Sequence, residues 1–509
     1  MSGEGSPAPL RDKRLWLVIA AVAAPLVYSM GRPADFDEVN FLTLTRGAAA
    51  APWRPHDVGI NWQGSTERAF DVLSNPPGLA WWLAPLVDAP VWAQRAAMLP
   101  WLVLAAWGCW QLGRRFLDGG QSGALLLLTS PMVILSTTAL LPDAPLFALT
   151  VAGVAGFVRA AEERAAVWPW LLLLGSAALF RYSAVALWPL VPLWLFLQRR
   201  SLAVAPLVAL PLVLLGLHDL SAYGEVHLFA MGRFQSVANT PADWAHKAVA
   251  AMTMLGGAVV LPVFRWRAVH AMAAVAGALC AAPWGWVAAG FGALGGAALA
   301  PIGQALLGRP HAPDGDARPT PDRIFLATWA LVGLGFLLTL RFTAARYWLP
   351  FLPAVALLLP ASFLRARVLL GGLLGLLLVT DDAMHARAST ALAQRASALG
   401  RGSFTGHWGW QGALEAAGWS ALNEGAAPAA GSLVAIPTEA WPQAVNVRCD
   451  HVRWEGFSWS PIPWVPRAYS RSVGANLHAN WIAGPPPTRS VVPWWFADDA
   501  WEHARVCQE

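Results

Sequence analysis

A polytopic α-helical membrane protein with a small C-terminal domain outside the membrane is the fold class this sequence predicts, on three observations. The chain of 509 residues is 56% hydrophobic and only 13% charged, with a mean hydropathy of +0.47, too apolar for a protein that must face water on all sides. Apolar runs of about 20 residues, the length of a spanning helix, recur between short arginine-bearing turns from residue 15 to about residue 380. Beyond that the runs cease, and Trp, Pro and Gly become frequent in stretches such as "GHWGWQGALEAAGW" and "WSPIPWVPRAYS".

The first apolar run, Leu15 to Met30, follows the basic residues Arg11, Lys13 and Arg14 and so imitates a signal peptide. No small-residue cleavage site follows it and further membrane segments do, which predicts an uncleaved first helix near 15–31. Further helices are expected near 91–113, 121–139, 142–159, 167–180, 182–198, 202–218, 247–264, 268–287, 289–307, 323–341, 346–363 and 367–380. That makes about thirteen spans. The Gly/Ala-rich stretch 268–307 is divided in two because a single crossing would reverse the side of Arg365 and Arg367.

Lys and Arg concentrate in cytoplasmic loops. The clusters at Arg11–Arg14, Arg114–Arg115, Arg159–Arg164, Arg199–Arg200, Arg265–Arg267, Arg309–Arg323 and Arg365–Arg367 then fall on one side. Residues 32–90, 218–246 and everything after about 381 fall on the other. The expected organisation is a transmembrane domain over 1–380, with a first outer loop at 32–90, and an extracytoplasmic α/β domain over 381–509 in which "GSLVAIP" is a short buried strand. The expected location is the plasma (inner) membrane, crossed many times. Thirty Trp residues suit the headgroup belts of such a protein, and a net charge of +5 carried largely by loop arginines reports topology rather than nucleic-acid binding. Cys449 and Cys507 both lie in the outer tail, where an oxidising environment favours a disulfide between them; Cys109 and Cys280 lie in apolar runs.

Chemistry-bearing residues gather at the outer edge. "RPADFDEVNF" places Asp35, Asp37 and Glu38 directly after the first helix, where a carboxylate is costly enough to suggest function, although Asp35 also suits an N-cap. "SNPPGLAWWLAPL" brings Asn75 and two prolines before Trp81 and Trp82, and "LLPDAPLFAL" places Asp143 at a membrane edge, where it also suits a cap. "LFRYSAVALWP" and "RFTAARYWLPFLP" place Arg181, Tyr182, Arg341, Arg346 and Tyr347 on the outer side, against the arginine bias. An anionic partner explains guanidinium groups there better than a neutral one, although interfacial anchoring is the plain alternative.

These motifs, in this order, resemble those of the GT-C glycosyltransferases, in the branch that holds the protein O-mannosyltransferases and the bacterial aminoarabinose transferases of lipid A. The resemblance covers roughly 15–380, and "GHWGWQ" is similar to the start of the outer domain in many bacterial members. It implies a membrane glycosyltransferase that moves a sugar from a polyprenyl-phosphate donor to an acceptor (lipid, glycan or protein) outside the cytoplasm. It also implies an active-site acid at Asp37 with Glu38 beside it and a second acid at Asp143. Asn75 stands where many relatives carry His, and Arg181 where they often carry Lys.

The residue types suit that chemistry. Transfer from a phosphate-linked sugar needs a base for the acceptor hydroxyl, for which Asp37, Glu38 and Asp143 are the candidates, and positive charge on the leaving phosphate. Arg181 and Arg346 are the candidates for the latter, with Tyr182 and Tyr347 adding hydrogen bonds. A lipid-linked donor requires no nucleotide loop, and the sequence has none. Asp35-Phe36-Asp37 has the form of a DxD metal signature, so a divalent metal stays an open alternative, but no metal site is assigned. His407, His451 and His478 are read as surface or packing residues. A transporter or flippase of a lipid-linked substrate is the competing class; it should show internal repeats or paired broken helices near the midplane. A non-catalytic scaffold binding wall polymer through Trp-rich stretches such as 454–464 is a third.

Overall fold

The computed structural model describes residues 12–62, 64–117, 119–235, 239–307, 320–459, 465–482 and 487–509. Arg11, most of the Arg309–Arg323 cluster and the end of the Trp-rich stretch 454–464 lie outside the described residues.

Each of the thirteen expected segments contains helix, but the number of full-length spans differs. Among the described residues six helices are long and apolar enough to cross a membrane: Val91–Phe116, Asp143–Glu162, Leu202–Tyr223, Trp286–Leu306, Thr320–Thr339 and Leu364–Ser397. A seventh arises if Gly120–Leu128 and Pro131–Thr138, bent by 69° at their junction, act as one. The first expected segment, Lys13–Ser29, is continuous over 17 residues; others are interrupted, and two of the interruptions have a cause in the sequence. Pro189 stands between a 3-10 turn at Tyr182–Leu187 and the helix Leu190–Leu197, whose first turn holds Pro192, and Pro350 stands between Ala345–Trp348 and Leu352–Leu358, whose first turn holds Pro353. The chain is a multi-pass membrane protein whose apolar core runs through the helices from Leu15 to Val379.

Two ends of the bundle can be told apart. At one, Arg115 bridges Glu162 at 2.7 Å and Asp322 at 2.7 Å, joining the end of one helix to the end of a second and the start of a third. At the other lie the segments that carry Asp37, Asp143, Arg181 and Arg346.

The helix Leu364–Ser397 does not stop at 380. Its 34 residues span about 51 Å, longer than a bilayer core of about 30 Å, and its sequence changes at Thr380 from leucine-rich to Asp381, Asp382 and His385. The projecting half forms a stalk for the tail. A five-stranded mixed sheet packs there, in the order Ser420–Ala421, Gly402–Phe404, Leu433–Pro437, Glu502–Gln508, His451–Ser458. The first two pairings are parallel and the last two antiparallel. Leu392, Ala393 and Ala396 of the stalk share a core with Phe404, Trp410, Leu414, Ala435, Ala504 and Val506. The "GSLVAIP" stretch is the central strand Leu433–Pro437, and Cys449 is bonded to Cys507 with Cα atoms 5.0 Å apart, tying the edge of the sheet to its last strand.

The tail also reaches the membrane helices. Ala475, Val491 and Val492 pack with Val249, Ala281, Ala288 and Phe291, and Trp494 donates from Nε1 to the carbonyl of Gly257 at 2.7 Å.

Candidate functional site

The residues 32–38 turn the chain from the first helix, Lys13–Ser29, into the helix Glu38–Ala50. Phe36 sits at φ 43°, in the left-handed region that a bulky residue rarely adopts. This kink sends neighbouring carboxylates to different partners. Asp35 accepts from His385 Nδ1 at 2.6 Å and from the Gly409 amide at 2.8 Å. Asp37, the N-cap residue without a side-chain cap bond, turns instead to Arg346, whose Nη2 lies 2.6 Å away. The Phe36 ring stacks on His385 at 5.2 Å and lies 4.8 Å from Trp408 and 4.0 Å from His478.

Glu38 is fully occupied. Its carboxylate accepts from Arg95 at 2.8 Å, Arg32 at 3.1 Å, and the amides of Leu140 at 2.6 Å and Asp35 at 2.9 Å. Burial opposes its charge, but the two arginines prevail and hold its pKa below the usual value. Arg32 continues the network to Asp382 on the stalk at 3.0 Å. Asp35 behaves alike: burial is outweighed by His385 and the hydrogen bonds, and its pKa is lowered. Glu38 and Asp35 therefore join the first helix, the stalk and the tail; they lack a free oxygen to offer a substrate.

A second carboxylate–arginine pair lies beside the first. Asp143 begins the helix Asp143–Glu162 directly after Pro142, and its buried carboxylate accepts from Arg181 Nη1. Arg181 is extended backbone between two 3-10 turns, Ala177–Leu179 and Tyr182–Leu187. Gly78, from the Asn-Pro-Pro stretch, lets this turn approach: a Cβ there would lie 2.3 Å from the Leu179 carbonyl. Tyr347 joins the two pairs, because the guanidinium of Arg181 lies over its ring at 4.7 Å and that of Arg346 at 5.7 Å. The turn bearing Arg346 and Tyr347 is pinned by the tail, through Ala345 donating to the Leu477 carbonyl at 3.1 Å and Asn480 accepting from Thr343 at 2.9 Å.

Of the expected site residues, Asp37, Asp143, Arg181, Arg346 and Tyr347 come together. Two do not. Glu38 is locked in its arginine cage, and the Tyr182 hydroxyl pairs with His227 Nδ1 at 2.8 Å, directed to a cluster with His56. Arg181 is extended and Tyr182 opens the 3-10 turn that follows, so the two side chains leave on different faces. The DxD form brings no metal donor set, since Asp35 and Asp37 are committed to different partners and no group of three potential ligands stands together among the described residues. In the sequence reading Arg32, Arg95 and His385 have no part in the site and His407 and His478 are surface or packing residues; all five lie around the acids of 35–38. Arg32 lies in the expected outer loop 32–90 and Arg95 in the expected helix 91–113, and the charge of neither had an evident partner in the sequence. His407 and His478 come from the tail, and the charge of Asp37 acts on both. Burial lowers the pKa of each, that of His478 to about 3.

Fold and site thus define a multi-pass helical membrane protein in which a strand-bearing C-terminal domain closes over two carboxylate–arginine pairs at one end of the bundle. No protein-family model and no curated protein matches the sequence. Among solved structures the chain is similar to ArnT from Cupriavidus metallidurans in the apo state, at 15% identity and a TM-score of 0.42, over 83% of this chain and 92% of that one. It is equally similar to ArnT from the same organism bound to undecaprenyl phosphate, at 15% identity and a TM-score of 0.42, over 84% and 93% of the two chains.

Proposed function

We propose that the protein is a membrane glycosyltransferase that moves a sugar from a polyprenyl-phosphate donor to a hydroxyl acceptor at the outer face of the plasma membrane, with the tail on that face. One observation carries the reading: Asp37, Asp143, Arg181 and Arg346, spread over three hundred residues of sequence, meet as paired charges at the ends of membrane helices. Ion pairs alone would not require such residues at a membrane edge, whereas a lipid phosphate there would.

In the proposed reaction the phosphate lies against Arg181 and Arg346. Arg346 Nε has no hydrogen-bond partner among the described residues and remains able to donate. Asp37 takes the proton of the acceptor hydroxyl through the oxygen that Arg346 leaves free. The acceptor oxygen then bonds to the anomeric carbon, the bond from that carbon to the phosphate oxygen breaks, and its electron pair leaves on the phosphate, where the two arginines stabilise it. Asp143 holds Arg181 in place, and Tyr347 spaces the guanidinium groups.

Mass analysis of lipid carrier, lipid A, wall polymer and secreted protein from cells with and without the gene tests this. The expected result is loss of one glycosylated species and accumulation of a polyprenyl-phosphate sugar. Identical profiles, together with no binding of undecaprenyl phosphate by the purified protein, would remove the assignment.

A further inference from the structure

The tail does more than cover the site. Residues 35–37 run beside residues 407–409: the Gly409 amide donates to Asp35 at 2.8 Å and the ring of Phe36 lies 4.8 Å from that of Trp408. His407 is therefore set next to the acids of the first loop. Its backbone amide donates to the Ala440 carbonyl at 2.6 Å, and its Nδ1 pairs with the Trp441 carbonyl at 2.8 Å. A carbonyl only accepts, so Nδ1 carries the hydrogen and Nε2 presents a lone pair. Nε2 is buried and has no hydrogen-bond partner among the described residues, in a residue 5% exposed. An orphaned acceptor of this kind is costly unless something uses it.

We propose that His407 Nε2 accepts a hydrogen bond from a hydroxyl of the acceptor next to the one that reacts, so that the tail supplies the acceptor half of the site and the membrane helices the donor half. The inference rests on the transferase reading above and deepens it: the acceptor carries a second free hydroxyl beside the reacting one and approaches from the tail side. Burial keeps the imidazole neutral and able to accept. The acceptor is thereby held while the proton of its reacting hydroxyl passes to Asp37, the new bond to the anomeric carbon forms and the phosphate departs with its electron pair. The charge of Asp37 acts on the imidazole, which places the two groups in one field. His478, also with a buried and unpartnered Nε2, flanks the same acid.

Full-length His407→Gln and His407→Leu test the assignment in gene-deleted cells, by the initial rate at which each restores the missing glycosylated species at equal membrane level. Gln places an acceptor oxygen near the position of Nε2 and Leu does not, while both lose the bond to Trp441. Gln is expected to stay within about threefold of wild type and Leu to fall at least ~10-fold, with binding of undecaprenyl phosphate by both purified variants within about twofold of wild type. Equal rates for Gln and Leu, whether normal or reduced, would reduce His407 to a structural residue and overturn the proposal. So would weakened undecaprenyl phosphate binding in His407→Leu. If deletion removes no glycosylated species, the transferase reading fails first, by a separate result.

Discussion

Asp37→Asn should strengthen binding of the lipid phosphate while abolishing turnover. In the structure Asp37 holds Arg346 through a bond of 2.6 Å, so an arriving phosphate shares its guanidinium with a carboxylate. With the two anions about 5 Å apart on one guanidinium, their repulsion is about 3 kcal/mol at an effective dielectric of 20 and about 1 kcal/mol in water. The Asp37 side chain is 22% exposed, and screening moves the value toward the lower figure, about 1 kcal/mol or roughly fivefold in Kd. Arg346→Ala removes a charge-assisted contact of about 1.5–3 kcal/mol and should weaken binding roughly 10- to 150-fold. In the double variant the gain from Asp37→Asn should shrink, because the guanidinium both anions share is gone. The assay is titration of the detergent-solubilised protein with undecaprenyl phosphate, read by native mass spectrometry. Weaker binding in Asp37→Asn, or unchanged binding in Arg346→Ala, would refute the shared-guanidinium argument, and turnover above about one hundredth of wild type in Asp37→Asn would remove its role as base.

Three further outcomes follow from the surrounding structure. Glu38→Gln leaves Arg95 and Arg32 buried against a neutral amide, at a cost of about 3 kcal/mol, and should lower the melting temperature of the solubilised protein by at least ~3 °C; with Arg95→Met added, the loss should be less than the sum of the two single losses. Replacing Cys449 and Cys507 by Ser opens a loop of 58 residues, with an expected loss of about 2–4 kcal/mol in the tail, measured as faster proteolysis after residue 397 with the membrane helices intact. The pH dependence of stability has opposing parts. His478, lowered to about 3 by burial and then by the charge on Arg346, is neutral in the folded tail but charges in the unfolded chain below about 6.5, so its share of stability is complete above that pH and declines by at most ~1.4 kcal/mol per pH unit down to about 3. Glu439 is raised to about 8 by burial and by Glu502, so stability instead falls as pH rises from about 4.5 toward 8. His478→Asn should flatten the acid limb of a melting-temperature profile and Glu439→Gln the alkaline limb; an unchanged profile in either variant would refute the corresponding assignment.

Sequence by itself marked the apolar segments in which helix forms and the turns where charge gathers, because apolar runs and arginine turns are local properties of the chain. It also brought Asp37, Asp143, Arg181 and Arg346 into consideration, since a charge beside an apolar run is conspicuous without any structure. Proline-bearing stretches at 189–192 and 350–353 carried the signal that those segments would break, but not how many full spans would result. Which of two adjacent residues faces the site was decided only in three dimensions. The positive φ of Phe36 separates Asp35 from Asp37, the packing of Arg95 and Arg32 captures Glu38, and a 3-10 turn directs Tyr182 away from Arg181. The position of His407 and His478 was illegible for a further reason: they lie in a domain with weak periodicity, more than three hundred residues from the acid beside them, and reach it only through a long helix that runs on past residue 380 and carries the tail back over the first loop. Hydrophobic periodicity reports which side of an element is buried; it holds no information on which distant side chain will share that burial.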